Sequence, residues 1–402
     1  MLSYFSKKKI FIFLTLIFGI FISRIISYGD DVDSHSLIHT YLNIINNGIY
    51  SPSRFYGSPL AEFLIGFLSY FFGGKVSAFI SYILFFFSLN FLFFYFYKTE
   101  KEFLSEKKII FIFLCLSNPI LIFDNVNPSD YILSLFFFSS GLFLLKTNLR
   151  LFSSILFAFS IACRANFAAF VIIIFIMEFV FNKNNNFKKD NILIGINTLI
   201  ISFLFYLPIT IQHKFKIDYI YNSGGPKIEL SQLLPRFIYK FYLLFGVYNS
   251  LLFLLLFIIT ITSFKIKKFK NFIIQEKILI TLVITNAIIF FFIPTKTSII
   301  SIVIILIYIL LIKNFNKIII FTVIILNILY WIVSYQLLEI KYKYNDICDP
   351  ISAVDAKFNF KITPGFFLIK KDKIKEKIQC DSKTFDDIKI REKFIRGDKL
   401  LN

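Results

Sequence analysis

The chain has 402 residues, 57% of them hydrophobic and 20% aromatic, with a mean hydropathy of +0.73. A soluble domain of this length cannot bury so much apolar surface, which excludes a string of globular domains in favour of one membrane domain. The net charge of +19 would point to nucleic acid in a soluble protein; here many lysines stand in short loops between apolar runs, where they set orientation and meet anionic headgroups, so no nucleic-acid partner is expected.

The first apolar run, residues 10–27, follows Lys7, Lys8 and Lys9, and its one charge, Arg24, is near enough to the far end to snorkel. It lacks a small-residue cleavage motif before Asp30 and reads as an uncleaved helix that starts in the cytoplasm. The first outer loop is then 28–75. Within it, residues 59–72 are apolar, but too short to span and interrupted by Glu62, so they read as an interfacial or re-entrant helix. The run 76–97 returns inward, which puts Lys98, Lys101, Lys107 and Lys108 inside.

Runs 109–123 and 131–145 go out and back, leaving Lys146 and Arg150 inside. The stretch 151–180 is broken at Arg164 and Asn166 and reads as a hairpin of two short helices with Arg164 near its outer turn. Runs 192–211, 241–264, 279–293, 299–312 and 318–333 then alternate, with lysines 265, 267, 268, 270, 313 and 317 inside. The expected fold is an all-α polytopic membrane protein of about eleven spans. Juxtamembrane helices occupy the first outer loop, and a small outer-face tail or cap covers 339–402, with a strand or two. Cys115 and Cys163 fall in apolar runs as small core residues, whereas Cys348 and Cys380 fall in the tail, where an outer location permits a disulfide.

The residues suited to chemistry gather in the outer loops. The first opens Gly29-Asp30-Asp31-Val32-Asp33-Ser34-His35, three carboxylates at a membrane exit, where clustering them carries a repulsive cost. Leu37, Tyr41, Ile44 and Ile45 then share one face of a helix expected to lie on the bilayer and to end at Asn46-Asn47-Gly48. Asp31, His35 and His39 recur every four residues, a spacing that can hold a divalent metal, although a polar face turned to water is the ordinary reading. Ser53-Arg54-Phe55-Tyr56-Gly57-Ser58-Pro59, followed by Glu62, can set a guanidinium against a phosphate or simply against headgroups. The second outer loop, Asp124 to Asp130, holds two acids and no base, and Asp130 also suits a cap for the next helix. Arg164 is the one charge inside an apolar hairpin, costly there unless it has a purpose.

In order and spacing these motifs resemble the GT-C superfamily of glycosyltransferases, the group containing protein O-mannosyltransferases and aminoarabinose transferases. The likeness covers roughly residues 10 to 181: Asp30-Asp31 after the first span, a helix ending at Asn47-Gly48, Gly57–Leu60, a short apolar helix ending Phe72-Gly73-Gly74, Asp130, and Arg164. The sequence departs from the commoner Asp-Glu and Pro-Pro forms, with Asp30-Asp31 and a single Pro59.

The resemblance implies an inverting transferase in the inner (plasma) membrane. It would take a sugar from a polyprenyl phosphate on the periplasmic or outer side and pass it to a glycan, lipid or protein acceptor. The base would be Asp31, Asp30 or Asp33, with Arg54, Tyr56, Glu62, Asp130 and Arg164 binding substrate. His35 and His39 are candidate ligands for a divalent metal, and no other cofactor is called for. The chemistry agrees: an acceptor hydroxyl needs a carboxylate to take its proton, and a departing lipid phosphate needs cations such as Arg54 or Arg164, or a metal. Two other classes compete. A lipid or glycan flippase keeps ionisable groups near the midplane. An O-antigen polymerase or ligase would rely on arginines in a late outer loop, for which 212–240 is the candidate.

Overall fold

In a computed structural model, the structure describes residues 2–29, 32–53, 57–97, 105–181, 185–212, 214, 233–234, 237–238, 245–246, 249–255, 276–292, 297–346, 349–364, 393 and 396–400. The apolar part of the chain is helical: α1 (Leu2–Ile26), α2 (Val32–Asn47), α3 (Pro59–Phe72), α4 (Gly74–Phe96), α5 (Glu106–Ser117), α6 (Pro119–Val126), α7 (Asp130–Lys146), α8 (Arg150–Cys163), α9 (Phe167–Phe181), α10 (Asn185–Gln212), α11 (Lys277–Phe292), α12 (Thr297–Asn314) and α13 (Lys317–Ile332). Two antiparallel strands follow, β1 (Val333–Asp346) and β2 (Asp349–Pro364), paired from Val333↔Pro364 to Asp346↔Asp349 with several register irregularities.

Among the described residues, three helices are long and apolar enough to cross a membrane, within Lys8–Ile26, Gly74–Phe96 and Asn191–Gln212, or four if α5 and α6 count as one bent span. That is well short of the expected eleven. The reason is length: helices such as α8, α9, α11 and α13 have 14 to 16 residues and rise only about 21–24 Å against a hydrocarbon core of about 30 Å. The α5–α6 run is broken by 83° at Asn118-Pro119, because proline disfavours a helical conformation in the residue before it. Most of the expected span 241–264 lies outside the described residues.

The chain divides into two compact units. Unit 1 comprises 1–109, 125–224 and 371–402; unit 2 comprises 110–124 and 225–370.

In unit 1, α1 and α4 pack against each other through Tyr82, whose hydroxyl donates to Thr15 O (2.7 Å) and whose ring fills the notch at Gly19. α7 and α8 approach closely because small residues line the seam: Ser153 Oγ donates to Gly141 O (2.8 Å), Ser160 Oγ donates to Ser134 O (2.9 Å), and a Cβ on Gly141 would stand 2.8 Å from the Phe157 ring. α2 does not present its apolar face to lipid as expected. Leu37, Ile38, Tyr41 and Leu42 are buried, packed on Ala61 and Ile65 of α3, with Gly66 leaving room for Tyr41; only the Ile45 end of that face is exposed. The reason is that α3 offers an apolar partner nearer than the bilayer.

Polar groups sort to the two ends of α7. Asp130 opens it and Lys146 closes it, about 24 Å apart along the axis. At the Lys146 end, its Nζ donates to Phe94 O (2.8 Å) and Tyr95 O (3.1 Å) at the C-terminus of α4, and Lys107 Nζ donates to Tyr97 Oη (2.6 Å). Lys107 and Lys146, expected on one side, are gathered at one end, while Lys98 and Lys101 lie outside the described residues.

The Tyr28 end is closed by residues from the far end of the sequence. Tyr28 Oη donates to Asp398 O (2.7 Å), and Leu400 N donates to Tyr70 O (3.3 Å). Leu400 is buried with Tyr28, Leu37, Ile38, Leu133 and Cys163. Gly397 (φ +70°) lies against Ser27 and Gly73 (φ +81°), where a Cβ on Gly73 would meet Gly397 O at 2.8 Å.

Unit 2 is organised around buried amides. Asn118 Oδ1 caps α6 by accepting from Leu121 N (3.0 Å), while its Nδ2 donates to Tyr308 Oη (3.0 Å). Asn327 Nδ2 donates to Ser117 Oγ (3.0 Å) and Tyr308 Oη (3.1 Å), and its Oδ1 accepts from Asn249 Nδ2 (2.7 Å). Trp331 Nε1 donates to Ser117 O (2.7 Å). These bonds satisfy groups that the break between α5 and α6 frees. Lys313 and Glu276 pair at 2.7 Å.

Candidate functional site

Loop 50–58 is fixed by Glu62. Proline at N1 starts α3, and one turn in, the buried Glu62 carboxylate accepts from Tyr50 Oη (2.6 Å), Ser53 N (2.8 Å), Ser53 Oγ (2.6 Å) and Ser58 N (3.1 Å). The bond to Ser58 N works like a capping box shifted by one residue. Burial, with the Glu62 carboxylate beside it, pushes the Tyr50 phenol well above its ordinary range, so it serves as a donor. All four donors come from the segment that carries Arg54 and Tyr56, which themselves lie outside the described residues.

From this loop the contacts lead inward. Ser58 is the N-cap residue of α3 but makes no side-chain cap bond. Its Oγ instead stands 3.4 Å from Asp130 Oδ2, which also holds Arg164 Nη1 at 2.6 Å. The Asp130 side chain is fully buried and that of Arg164 is 7% exposed. The guanidinium lies over the Tyr131 ring, 3.4 Å from its centroid, a desolvated cation–π contact. Arg164 is in extended conformation at the end of α8, where its backbone breaks the hairpin as the sequence foretold.

The first loop also meets the second. Ser34 Oγ donates to Asn127 Oδ1 (3.3 Å), and Asn127 fills the space beside Gly29 (φ +83°), which therefore has no room for a side chain. Asp33 is half-buried in the first turn of α2; Asp30 and Asp31, immediately before it, lie outside the described residues. His35 is buried and His39 half-buried one turn later, with His39 Nδ1 3.3 Å from Asn43 Nδ2. Among the described residues no three His, Cys, Asp or Glu side chains converge as metal ligands, so no metal chemistry is derived.

The structure thus brings Glu62, Asp130 and Arg164 together through Ser58. The cap of α7 is Ser129, not Asp130. Sequence reading missed Ser58 and Ser129; the signal was present, since each is a Ser directly before a helix start. Cys115 and Cys163 are buried free thiols, while Cys348, Cys380 and most of loop 212–240 lie outside the described residues.

The fold and these contacts define an α-helical chain with membrane-capable helices and a buried ion pair at one end of its first unit. No protein-family model, no curated relative and no solved structure matches the chain.

Proposed function

We propose that the chain is a glycosyltransferase of the inner (plasma) membrane, acting at its outer face. It moves a sugar from a polyprenyl-phosphate carrier to a glycan, lipid or protein acceptor. The observation that supports this reading is the contact series Glu62–Ser58–Asp130–Arg164, which ties the first loop, the second loop and the α8–α9 turn into one polar locus within unit 1. A lipid-linked donor calls for such a locus at a helix-bundle end, where the prenyl chain stays in lipid while the phosphate and sugar meet polar groups.

In this reading one carboxylate among Asp31, Asp30 and Asp33 takes the proton of the acceptor hydroxyl as its oxygen attacks the anomeric carbon. The C–O bond to the phosphate breaks in the same displacement, and the configuration inverts. Glu62 positions the loop from which Arg54 faces the leaving phosphate. Asp130 and Arg164 contact the sugar or the acceptor.

The test is transfer from a prenyl-phosphate sugar in proteoliposomes by Asp31→Asn, Asp30→Asn and Asp33→Asn variants. Loss of a general base lowers turnover by about 100- to 10,000-fold while donor binding persists. Near-normal transfer by all three variants would remove the base from this loop. A flippase, which only moves its cargo, would not depend on that proton transfer.

A further inference from the structure

Buried polar atoms without partners are rare in folded proteins, because each costs the desolvation it does not recover. Among the described residues, those around the Asp130–Arg164 pair include Ser129 Oγ, Arg164 Nε and Asn166 Oδ1. Ser129 is 1% exposed and Arg164 6%. Ser129 occupies the N-cap of α7 yet its hydroxyl makes no cap bond, so the usual reason for a serine there is absent. Arg164 commits Nη1 to Asp130 and its flat face to Tyr131, leaving Nε–H. Asn166 holds the turn through its backbone, its O accepting from Ala169 N at 3.2 Å, while its side-chain oxygen is unused.

We infer that these three atoms form a subsite for the hydroxyl groups of a sugar, an assignment that rests on the transferase reading above. The charge balance separates sugar from phosphate: Asp130, 2.6 Å from the guanidinium, cancels its charge and leaves little net attraction for an anion. What remains is directional: an N–H donor, an amide oxygen that only accepts, and a hydroxyl that does both. Sugar hydroxyls, each one donor and two acceptor sites, match that mixture. Because a ligand lacking them would leave buried groups unpaired, such a subsite discriminates strongly between sugars. Arg164 therefore reads the sugar, and the carrier phosphate is left to the first loop.

The test uses the full chain in lipid nanodiscs and follows thermal unfolding with citronellyl phosphate and with the same phosphate bearing glucose, mannose, galactose, N-acetylglucosamine or arabinose. At least one glycosylated probe is expected to raise the midpoint beyond plain citronellyl phosphate. Ser129→Ala and Asn166→Ala should each weaken that probe by about tenfold, one lost hydrogen bond's worth, and leave the response to plain phosphate unchanged. Asn166→Leu, close in shape and without the acceptor oxygen, serves if the alanine variant does not fold. Unchanged affinity of folded variants for the glycosylated probe would mean that the atoms hold water only, and the subsite is overturned. Equal response to plain and glycosylated probes would also overturn it while sparing the transferase reading; response to neither would sink both.

Discussion

Replacing Arg164 by alanine removes the guanidinium that is ion-paired with the fully buried carboxylate of Asp130. Asp130 is fully buried, and its Oδ2 accepts from Arg164 at 2.6 Å. The hydroxyl of Ser58, 3.4 Å from the same oxygen, is too distant and too weak a donor to take over. Stranding one member of a buried ion pair costs about 3–5 kcal/mol, or roughly a 100- to 5,000-fold change in the unfolding equilibrium, and the loss of the guanidinium over Tyr131 adds to it. Replacing both members, as in Asp130→Leu with Arg164→Leu, leaves no charge to strand, so most of that loss should be recovered. Equilibrium unfolding of the four forms in mixed micelles, read by circular dichroism and set out as a double-mutant cycle, gives the coupling directly. A cost below about 1 kcal/mol for Arg164→Ala, or a double variant as unstable as the sum of the singles, would refute the buried-pair argument.

Two further outcomes follow from the first unit. Glu62→Ala leaves the Tyr50 hydroxyl and the Ser53 and Ser58 amides without their shared acceptor, so loop 50–58 should become a preferred site of limited proteolysis; a wild-type digestion pattern would deny Glu62 its clamping role. Because Tyr28 and Asp398 are hydrogen-bonded, a cysteine at exposed Ser51 and an epitope after Asn402 should be reached by impermeant reagents from the same side of the membrane. Access from opposite sides would rule out that contact in the native protein.

The sequence announced its helices best where punctuation was strong. Pro59 and Gly73-Gly74 fixed both ends of α3, and the polar pair Arg164 and Asn166 marked the turn between α8 and α9. It misled where hydropathy was counted without regard to backbone chemistry. Pro119 lay inside a run read as one span, yet it bends the chain by 83°. The tail was expected to begin at 339, yet the strand that opens it starts at Val333. Aligned helix ends were legible from charge: Asp130 and Lys146 mark opposite ends of α7. The Asp130–Arg164 bond was not, since two charges 34 residues apart carry no pattern that distinguishes a pair from two separate ligands. The return of Leu400 to Tyr28 was invisible for the same reason, a contact across 370 residues between Tyr28 and Asp398.

That return has a consequence for biosynthesis. The residues that cover Tyr28, Leu37 and Ile38 emerge from the ribosome only after α13 and both strands. The first helices must therefore wait with an unfilled apolar seat at one end, and the first unit can reach its final packing only after α13 and both strands have been made. Late closure of this kind makes assembly of the first unit sensitive to events downstream of the strands. A frameshift or stop between codons 364 and 397 would leave every described helix in place and still deny the earliest loop its cover.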